Sequence, residues 1–274
     1  MTICIAASAA DKSAVVVASD RMISAGFLNL EFDHPESKIE KLGKSCVGLS
    51  AGDALPAGDL FSSAYPVSTQ LQNPKVKQIS ETVTDTYSLL RKKRIEEEVF
   101  RPRGLTIDAF YQQGLIRSFP PEVSMSLDDQ VQHAAFGVTL IVAGVDQEGA
   151  HIFGVSDPGV STSYDRIGYH AIGSGMSHAF LSLVAVGQHW SKSINETAYN
   201  VFRAKRHSEV APGVGQSVEL RVITAEGVRT ATSAELSELD KILSRTETPL
   251  SQELAKEIGQ LPFDPETTTE EQPG

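Results

Sequence analysis

The sequence has few cysteines and no long apolar run. Only two cysteines, Cys4 and Cys46, occur among 274 residues, too few for a disulfide framework and typical of a reducing compartment. No stretch approaches the roughly 20 apolar residues that a membrane-spanning helix needs, and the first residues lack the basic and apolar segments of a secretory signal. We therefore expect a cytoplasmic protein that does not enter a membrane, with both thiols buried as small apolar groups.

Motifs for metals, nucleotides and nucleic acids are also missing. The seven histidines form no His-Glu-x-x-His pair, and no Gly-rich phosphate loop occurs. We therefore predict no metal and no cofactor, and any use of ATP would belong to a partner. The formal net charge of −11 argues against nucleic acid, which is bound by clustered Lys and Arg. A basic run at 91–94 is followed by acidic residues at 96–98, a pattern typical of a solvated helix face.

The negative charge is concentrated at the C-terminal end. From Ala234 onward, ten acidic residues stand against three basic ones, a balance of −7. Residues 262–274 are rich in Pro, Thr and Glu and cannot bury a core. The predicted organisation is therefore one domain at 1–232, followed by an acidic extension at 233–274 that is disordered from about residue 262.

Hydrophobic periodicity alternates between blocks of strands and blocks of helices. The predicted elements are strands at 3–7, 14–18, 38–42 and 45–50, a helix over 76–99 ended by Pro102, a shorter helix over 107–116, strands at 138–144 and 150–155, helices beginning near 174 and 193, a hairpin of 218–224 with 228–231, and a short helix at 234–243. Antiparallel hairpins joined by helix blocks indicate an α+β fold, a four-layer αββα sandwich of two antiparallel sheets between helix layers.

A threonine directly after Met1 is a candidate nucleophile. Methionine is removed readily when the second residue is small. A freed Thr2 would carry a hydroxyl that attacks carbonyls and an α-amine, with a pKa of about 7.7–8.0, that accepts the proton. Asp20 ends a predicted strand, Lys38 opens another, and Gly52 offers a backbone N–H. Taken singly, Asp20 is more often a turn-capping residue, Lys38 a surface charge and Gly52 a backbone bend.

Several blocks, in order, resemble the proteasome β-subunits and their bacterial relatives. The blocks are Thr2-Ile3, Val-Val-Val-Ala-Ser-Asp-Arg at 15–21, Lys38-Ile39, Ala51-Gly52-Asp53-Ala54, the hairpin of 142–146 with 152–158, and Ala171-Ile172-Gly173-Ser174-Gly175. The last of these is similar to the family's Gly-Ser-Gly signature, which opens a helix. The resemblance runs in separate blocks from Thr2 to about Thr224, and it implies an N-terminal nucleophile (Ntn) hydrolase.

The resemblance implies a role for each matching residue. Thr2 is the nucleophile, with its own amine as the base. Lys38, held by Asp20, stabilises the alkoxide, and the N–H of Gly52 stabilises the oxyanion. Ser174 forms a hydrogen bond near the amine. A serine-hydrolase interpretation of Ser174 is disfavoured, because Ile172 stands where the Gly-x-Ser-x-Gly elbow requires glycine.

The implied activity is that of a threonine endopeptidase of the proteasome type. Its substrate would be a peptide or an unfolded protein, its assembly a ring or similar closed homo-oligomer, and an ATP-dependent unfoldase a further partner. Segment 207–217 does not match the family, although Glu209 and Ser217 could substitute for its supporting Asp and Ser. A catalytically inactive structural subunit and an Ntn amidohydrolase of a small amide therefore remain alternatives. Segment 101–132 is longer than the family requires and could cover the site or mediate assembly.

Overall fold

The computed structural model describes residues 2–25, 30–33, 37–70, 73–112 and 114–246. The strands are β1 (Ile3–Ala9), β2 (Ala14–Ser19), β3 (Met22–Ala25), β4 (Leu30–Asp33), β5 (Ile39–Gly43), β6 (Cys46–Gly52), β7 (Val138–Asp146), β8 (Gly149–Ser156), β9 (Val160–Ser163), β10 (Tyr169–Gly173), β11 (Glu219–Thr224) and β12 (Gly227–Thr230). The helices are α1 (Ala54–Gln70), α2 (Val76–Ile95), α3 (Ile107–Tyr111), α4 (Pro121–His133), α5 (Met176–Ala185), α6 (Ile194–His207) and α7 (Ser233–Thr246).

The chain divides into two compact units, Met1–Thr232 and Ser233–Gly274. In the second unit the structure describes α7, and the predicted disorder from about residue 262 lies outside the described residues. No helix in the described ranges combines the length and apolar character needed to cross a membrane.

The first unit is built on two five-stranded antiparallel sheets. The first sheet has the strand order β10-β1-β2-β11-β12, and the second has the order β5-β6-β7-β8-β9. A separate two-stranded sheet joins β3 to β4. The fold is therefore α+β with two antiparallel sheets, as the sequence predicts.

Helices cover the outer face of each sheet. The pair α5 and α6 packs on β10, β1 and β2, and the pair α1 and α2 packs on β5 to β8. Side-chain alternation along β7 shows the layering, because Ile141 and Ala143 belong to the core between the sheets. Their neighbours Leu140 and Val142 face the core beneath α1 and α2. The four-layer αββα prediction is confirmed.

Helix α1 is not predicted by the sequence. It contains Pro56, Gly58 and Pro66, residues that disfavour a helix interior. It forms because its apolar side chains bury one face against the second sheet. The buried residues recur three or four apart: Ala57, Leu60, Phe61, Ala64 and Ser68. Tertiary burial thus overrides the low helix propensity.

The region between α2 and β7 forms a small core of its own. Helix α2 continues as a π-helical turn over Glu96–Phe100, and Phe100, Phe110 and Leu127 pack together there. The predicted helix over 107–116 is wrong in extent, because α3 ends at Tyr111 and Gly114 adopts a left-handed backbone. Helix α4 follows, and the sequence does not predict it.

The basic run at 91–94 is only partly solvated. Arg94 pairs with Glu98 at 2.8 Å, one helical turn further along, as the charge pattern predicts. Arg91 differs, since its Nε donates to the carbonyl of Ala134 at 3.0 Å and its Nη2 to that of Val131 at 3.2 Å. Arg91 thereby binds the end of α4 to α2.

Candidate active site

The N-terminal hairpin brings Thr2 beside Asp20. In the β1–β2 register Cys4 lies opposite Ser19, so the residues just before β1 and just after β2 are neighbours. The backbone of Ile3 donates to Asp20 Oδ1 at 3.2 Å, and the Asp20 N–H donates to the Ile3 carbonyl at 3.2 Å. The Thr2 hydroxyl donates to the same carboxylate oxygen, Oδ1. Thr2 is 3% exposed, so this contact is shielded from water.

Lys38 reaches the same point from the second sheet. Its Nζ donates to Thr2 Oγ1 and lies 2.7 Å from Asp20 Oδ1. The exposed fraction is 14% for the Lys38 side chain and 0% for Asp20. Shielding from water strengthens the attraction between the two charges. The Thr2 hydroxyl is therefore held between an ammonium and a carboxylate.

The remaining oxygen of Asp20 is held by a loop before β11. The N–H of Gly215 donates to Asp20 Oδ2 at 2.9 Å. A fully buried carboxylate is costly unless its charge is paired and its lone pairs are used. Asp20 meets both conditions through Lys38, the Thr2 hydroxyl and two backbone N–H groups.

Ser174 contacts Thr2 through the main chain. Its single hydroxyl hydrogen lies between the Pro212 carbonyl at 3.0 Å and the Thr2 carbonyl at 3.4 Å, and the two acceptors share it. The neighbouring Gly173 adopts φ +99, and a Cβ there would lie 2.2 Å from the Thr2 carbonyl oxygen. A glycine is needed at this position for both reasons. The predicted bond of Ser174 near the Thr2 amine stays a prediction.

Gly52 and Lys38 lie at the same end of two neighbouring strands of the second sheet. It ends β6, and β5, which Lys38 directly precedes, begins opposite Leu49 of β6. The thiol of Cys4 donates to the Ser50 carbonyl at 3.3 Å, which links the start of β1 to this end of β6. Among the described contacts, none joins Gly52 directly to Thr2. Gly52 adopts φ +110, and a Cβ there would lie 2.1 Å from the Gly137 carbonyl oxygen, so the position has room only for glycine.

The segment before Lys38 is anchored to the first sheet. Arg221 donates to Ser37 Oγ at 2.9 Å and pairs with the buried carboxylate of Glu219 at 2.5 Å. The Ser37 hydroxyl in turn accepts the N–H of Ile39 at 2.9 Å. These contacts fix the backbone on both sides of Lys38 and therefore the direction of its side chain.

Neither cysteine is a second nucleophile of this site. Cys4 and Cys46 are free and buried, as the sequence predicts. Burial raises the pKa of both thiols well above the usual range. Since the thiolate is the reactive form, both side chains act as small apolar groups.

One contributor to the site and one buried charge near it were missed from the sequence. Gly215 binds Asp20 only because the loop folds back to β2, which no local pattern indicates. Lys205 is fully buried on α6, four residues after the buried Val201. A lysine in the apolar register of an amphipathic helix is a signal that could have revealed it.

Glu209, considered from the sequence as a support for Thr2, pairs with basic residues of α6. Its carboxylate lies 2.5 Å from Lys205 Nζ and 2.9 Å from Arg206 Nη1. Its described contacts do not include Thr2. The proposed role of Ser217 is not tested by any described contact.

One cluster of side chains has metal-ligand character. Asp146, Glu148 and His151 have ligand atoms within 4.8 Å of one another. His151 bonds to Asp165 at 2.7 Å, and this bond raises the pKa of the imidazole. Asp146 accepts the N–H of Val76 at 2.8 Å. Glu148 pairs with Lys75, and His151 Nε2 lies 3.3 Å from Asp146 Oδ1. Each of the three side chains therefore already has a charged neighbour within the fold.

Comparisons with other proteins do not assign the chain to a family. No protein-family model matches it, and no curated protein matches it. The resemblance to proteasome β-subunits therefore stays a prediction.

Proposed function

We propose that this protein is an Ntn hydrolase that cleaves peptide bonds, with Thr2 as its nucleophile after removal of Met1. The observation that carries the proposal is the contact of Thr2 Oγ1 with both Lys38 Nζ and Asp20 Oδ1. These three residues come from separate segments and two different sheets. A hydroxyl held by an ammonium and a buried carboxylate is an activated nucleophile.

The proposed reaction has two steps. The Thr2 hydroxyl attacks the amide carbonyl, and its proton passes to the freed α-amine, whose ordinary pKa of about 7.7–8.0 suits a base at neutral pH. Collapse of the tetrahedral intermediate breaks the C–N bond, and the same proton leaves with the amine product. Water then attacks the Thr2 ester, which releases the carboxylic acid and restores the hydroxyl.

Charged and polar neighbours stabilise the intermediates. Lys38 places positive charge beside the developing alkoxide, and Asp20 keeps that ammonium in position. The Gly52 N–H is the proposed donor to the oxyanion, a contribution of about 3–4 kcal/mol. Ser174 fixes the Thr2 main chain through its carbonyl.

The proposed setting is a closed homo-oligomer. A terminal nucleophile that folded proteins could reach would cut them indiscriminately, whereas enclosure restricts the substrate to peptides or unfolded chains. Native mass spectrometry measures the assembly, and sequencing of its first residue shows whether Thr2 is free. A monomer would overturn the enclosed assembly, and retained Met1 would remove the base from the mechanism.

Acylation of Thr2 tests the chemistry without knowledge of the substrate. A β-lactone opened by the hydroxyl adds its whole mass to the protein, so intact-mass analysis should show one adduct. Peptide mapping should place that adduct on the N-terminal peptide. Thr2→Ala should show none and should not cleave a panel of fluorogenic peptides. Labelling without peptide cleavage would favour the small-amide amidohydrolase. The absence of an adduct on wild-type protein would favour the inactive structural subunit.

A further inference from the structure

Lys205 carries a buried charge that the proposed reaction does not use. Its side chain is 0% exposed, and its Nζ lies 2.5 Å from Glu209 Oε1 and 2.7 Å from the Gly215 carbonyl oxygen. Burial lowers the pKa of this lysine, and the bond to Glu209 opposes that effect. Burying an ammonium is costly even when it is paired. Since replacing a whole buried ion pair by apolar side chains is often neutral or stabilising, stability alone does not account for the Lys205–Glu209 pair.

Gly215 connects Lys205 to the Thr2 site. Gly215 accepts from Lys205 with its carbonyl and donates its N–H to Asp20 Oδ2 at 2.9 Å. The next residue along α6, Arg206, donates to the Gln216 carbonyl at 3.0 Å. Two neighbouring cations of α6 therefore bind two neighbouring carbonyls of the loop. Both cations also contact the same oxygen of Glu209.

The held segment has no regular structure to fix it. Residues 211–218, between the helical turn at Ser208–Val210 and β11, form neither helix nor strand. No ladder of backbone hydrogen bonds therefore sets the position of Gly215. A loop of this kind opens locally at low cost unless specific contacts bind it.

We propose that Lys205 is a positioning residue of the Thr2 site. Its ammonium holds Gly215 so that the Gly215 N–H stays on Asp20. Asp20 in turn keeps Lys38 and the Thr2 hydroxyl in their reactive arrangement. The effect of Lys205 on the reactivity of Thr2 rests on the proposed function. The hydrogen bond by which Lys205 holds Gly215 does not.

Substitution of Lys205 tests two things separately: whether Lys205 holds Gly215, and whether this contact affects Thr2. Lys205→Met keeps the volume of the side chain and removes the ammonium, and Lys192→Met is the matched control. Lys192 also pairs with a glutamate four residues on, Glu196, but this pair lies at the opposite end of α6 and is partly exposed. Acylation of Thr2 by a β-lactone, followed by intact mass, gives the maximal rate kinact and the half-saturating concentration KI. Hydrogen exchange reports on segment 211–218.

We expect Lys205→Met to lower kinact about 10–100-fold, because small misplacements of reacting groups have effects of that size. KI should stay within about twofold, since Lys205 is fully buried and its described contacts are with Glu209 and Gly215. Exchange in 211–218 should accelerate, and Lys192→Met should match wild type in every measurement. If Lys205→Met does not fold, Glu209→Gln should show the same pattern more weakly, because it removes only the countercharge.

Each alternative result has a separate meaning. A folded Lys205→Met protein, or Glu209→Gln where only that variant folds, with wild-type kinact would overturn the positioning role. A fall in kinact with unchanged exchange would overturn the Gly215 link. Wild-type protein that is not acylated at all would refute the proposed function, and with it the catalytic role of Lys205.

Discussion

Replacing Lys38 by methionine removes one charge from the Thr2 site and keeps most of the side-chain volume. The Lys38 ammonium contacts Thr2 Oγ1 and lies 2.7 Å from Asp20 Oδ1. Without it, the alkoxide of the proposed reaction would lose a positive charge in direct contact with Thr2 Oγ1. Removing one preorganised donor to a developing negative charge lowers kcat by about 10²–10³. We expect Lys38→Met to lower kcat by at least that factor.

The same change affects stability, because Asp20 remains buried without its countercharge. Breaking a buried ion pair costs about 3–5 kcal/mol. Asp20 keeps the N–H groups of Ile3 and Gly215, and the Lys38 side chain is 14% exposed. We therefore expect a smaller cost of about 1–3 kcal/mol, which lowers the melting temperature by roughly 2–12 °C.

Three variants separate the two effects of Lys38. β-Lactone labelling and peptide turnover measure activity, and thermal unfolding measures stability. Asp20→Asn combined with Lys38→Met contains no unpaired charge, but the amide nitrogen of asparagine cannot accept the N–H that one of the Asp20 oxygens accepts. The double variant should therefore regain only part of the lost stability, without regaining activity. Lys41→Met changes an exposed lysine of β5 and should match wild type. A Lys38→Met protein with wild-type turnover would refute the stabilisation of the alkoxide by Lys38. A Lys38→Met melting temperature equal to that of wild type would contradict the cost of the unpaired carboxylate.

Acid stability and the backbone beside Thr2 give two further predictions. Burial lowers the pKa of His170 to about 4 from the ordinary 6.5, so the unfolded state binds more protons between these values. Lowering the pH across this window should therefore cost about 3 kcal/mol through His170. Urea unfolding at both pH values should show a smaller acid loss in His170→Gln, and an equal loss would contradict the argument. Gly173→Ala should cost about 1–3 kcal/mol from overlap with the Thr2 carbonyl, in addition to the strain of its positive φ. Gly187→Ala is the control, because Gly187 adopts φ +58 with open space around it and a Cβ there causes only backbone strain. If Gly173→Ala and Gly187→Ala lower the melting temperature equally, the overlap at Gly173 is disproved.

The sheets were predictable because their sequence patterns are local. The β-branched run at 14–18 and the paired runs at 138–144 and 150–155 each form the predicted strand. The start of α6 was also predictable, since Ser193 accepts the N–H of Glu196 as its spacing indicates. Local periodicity determines these elements, so one sequence is enough to find them.

The missed features depend on contacts between distant segments. Helix α1 forms despite Pro66 because the second sheet buries one of its faces. Gly215 acts on Asp20, a residue far away in the sequence, through a loop without regular structure. The register of α6 hints that Lys205 is buried, but only the folded loop supplies the Gly215 carbonyl that it binds. Propensity and spacing contain no information about such contacts.

Asp20 shows why the candidate site and the fold are inseparable. Its carboxylate accepts from the start of β1, from the segment before β5 and from the loop before β11. None of these donors is adjacent to Asp20 in the sequence, so they meet only when the hairpin has closed, the sheets have packed and the loop has docked. The hydroxyl of Thr2 is thus poised between opposite charges only in the complete fold. Weakening any one of the three contacts should therefore lower the reactivity of Thr2 even where the domain stays folded.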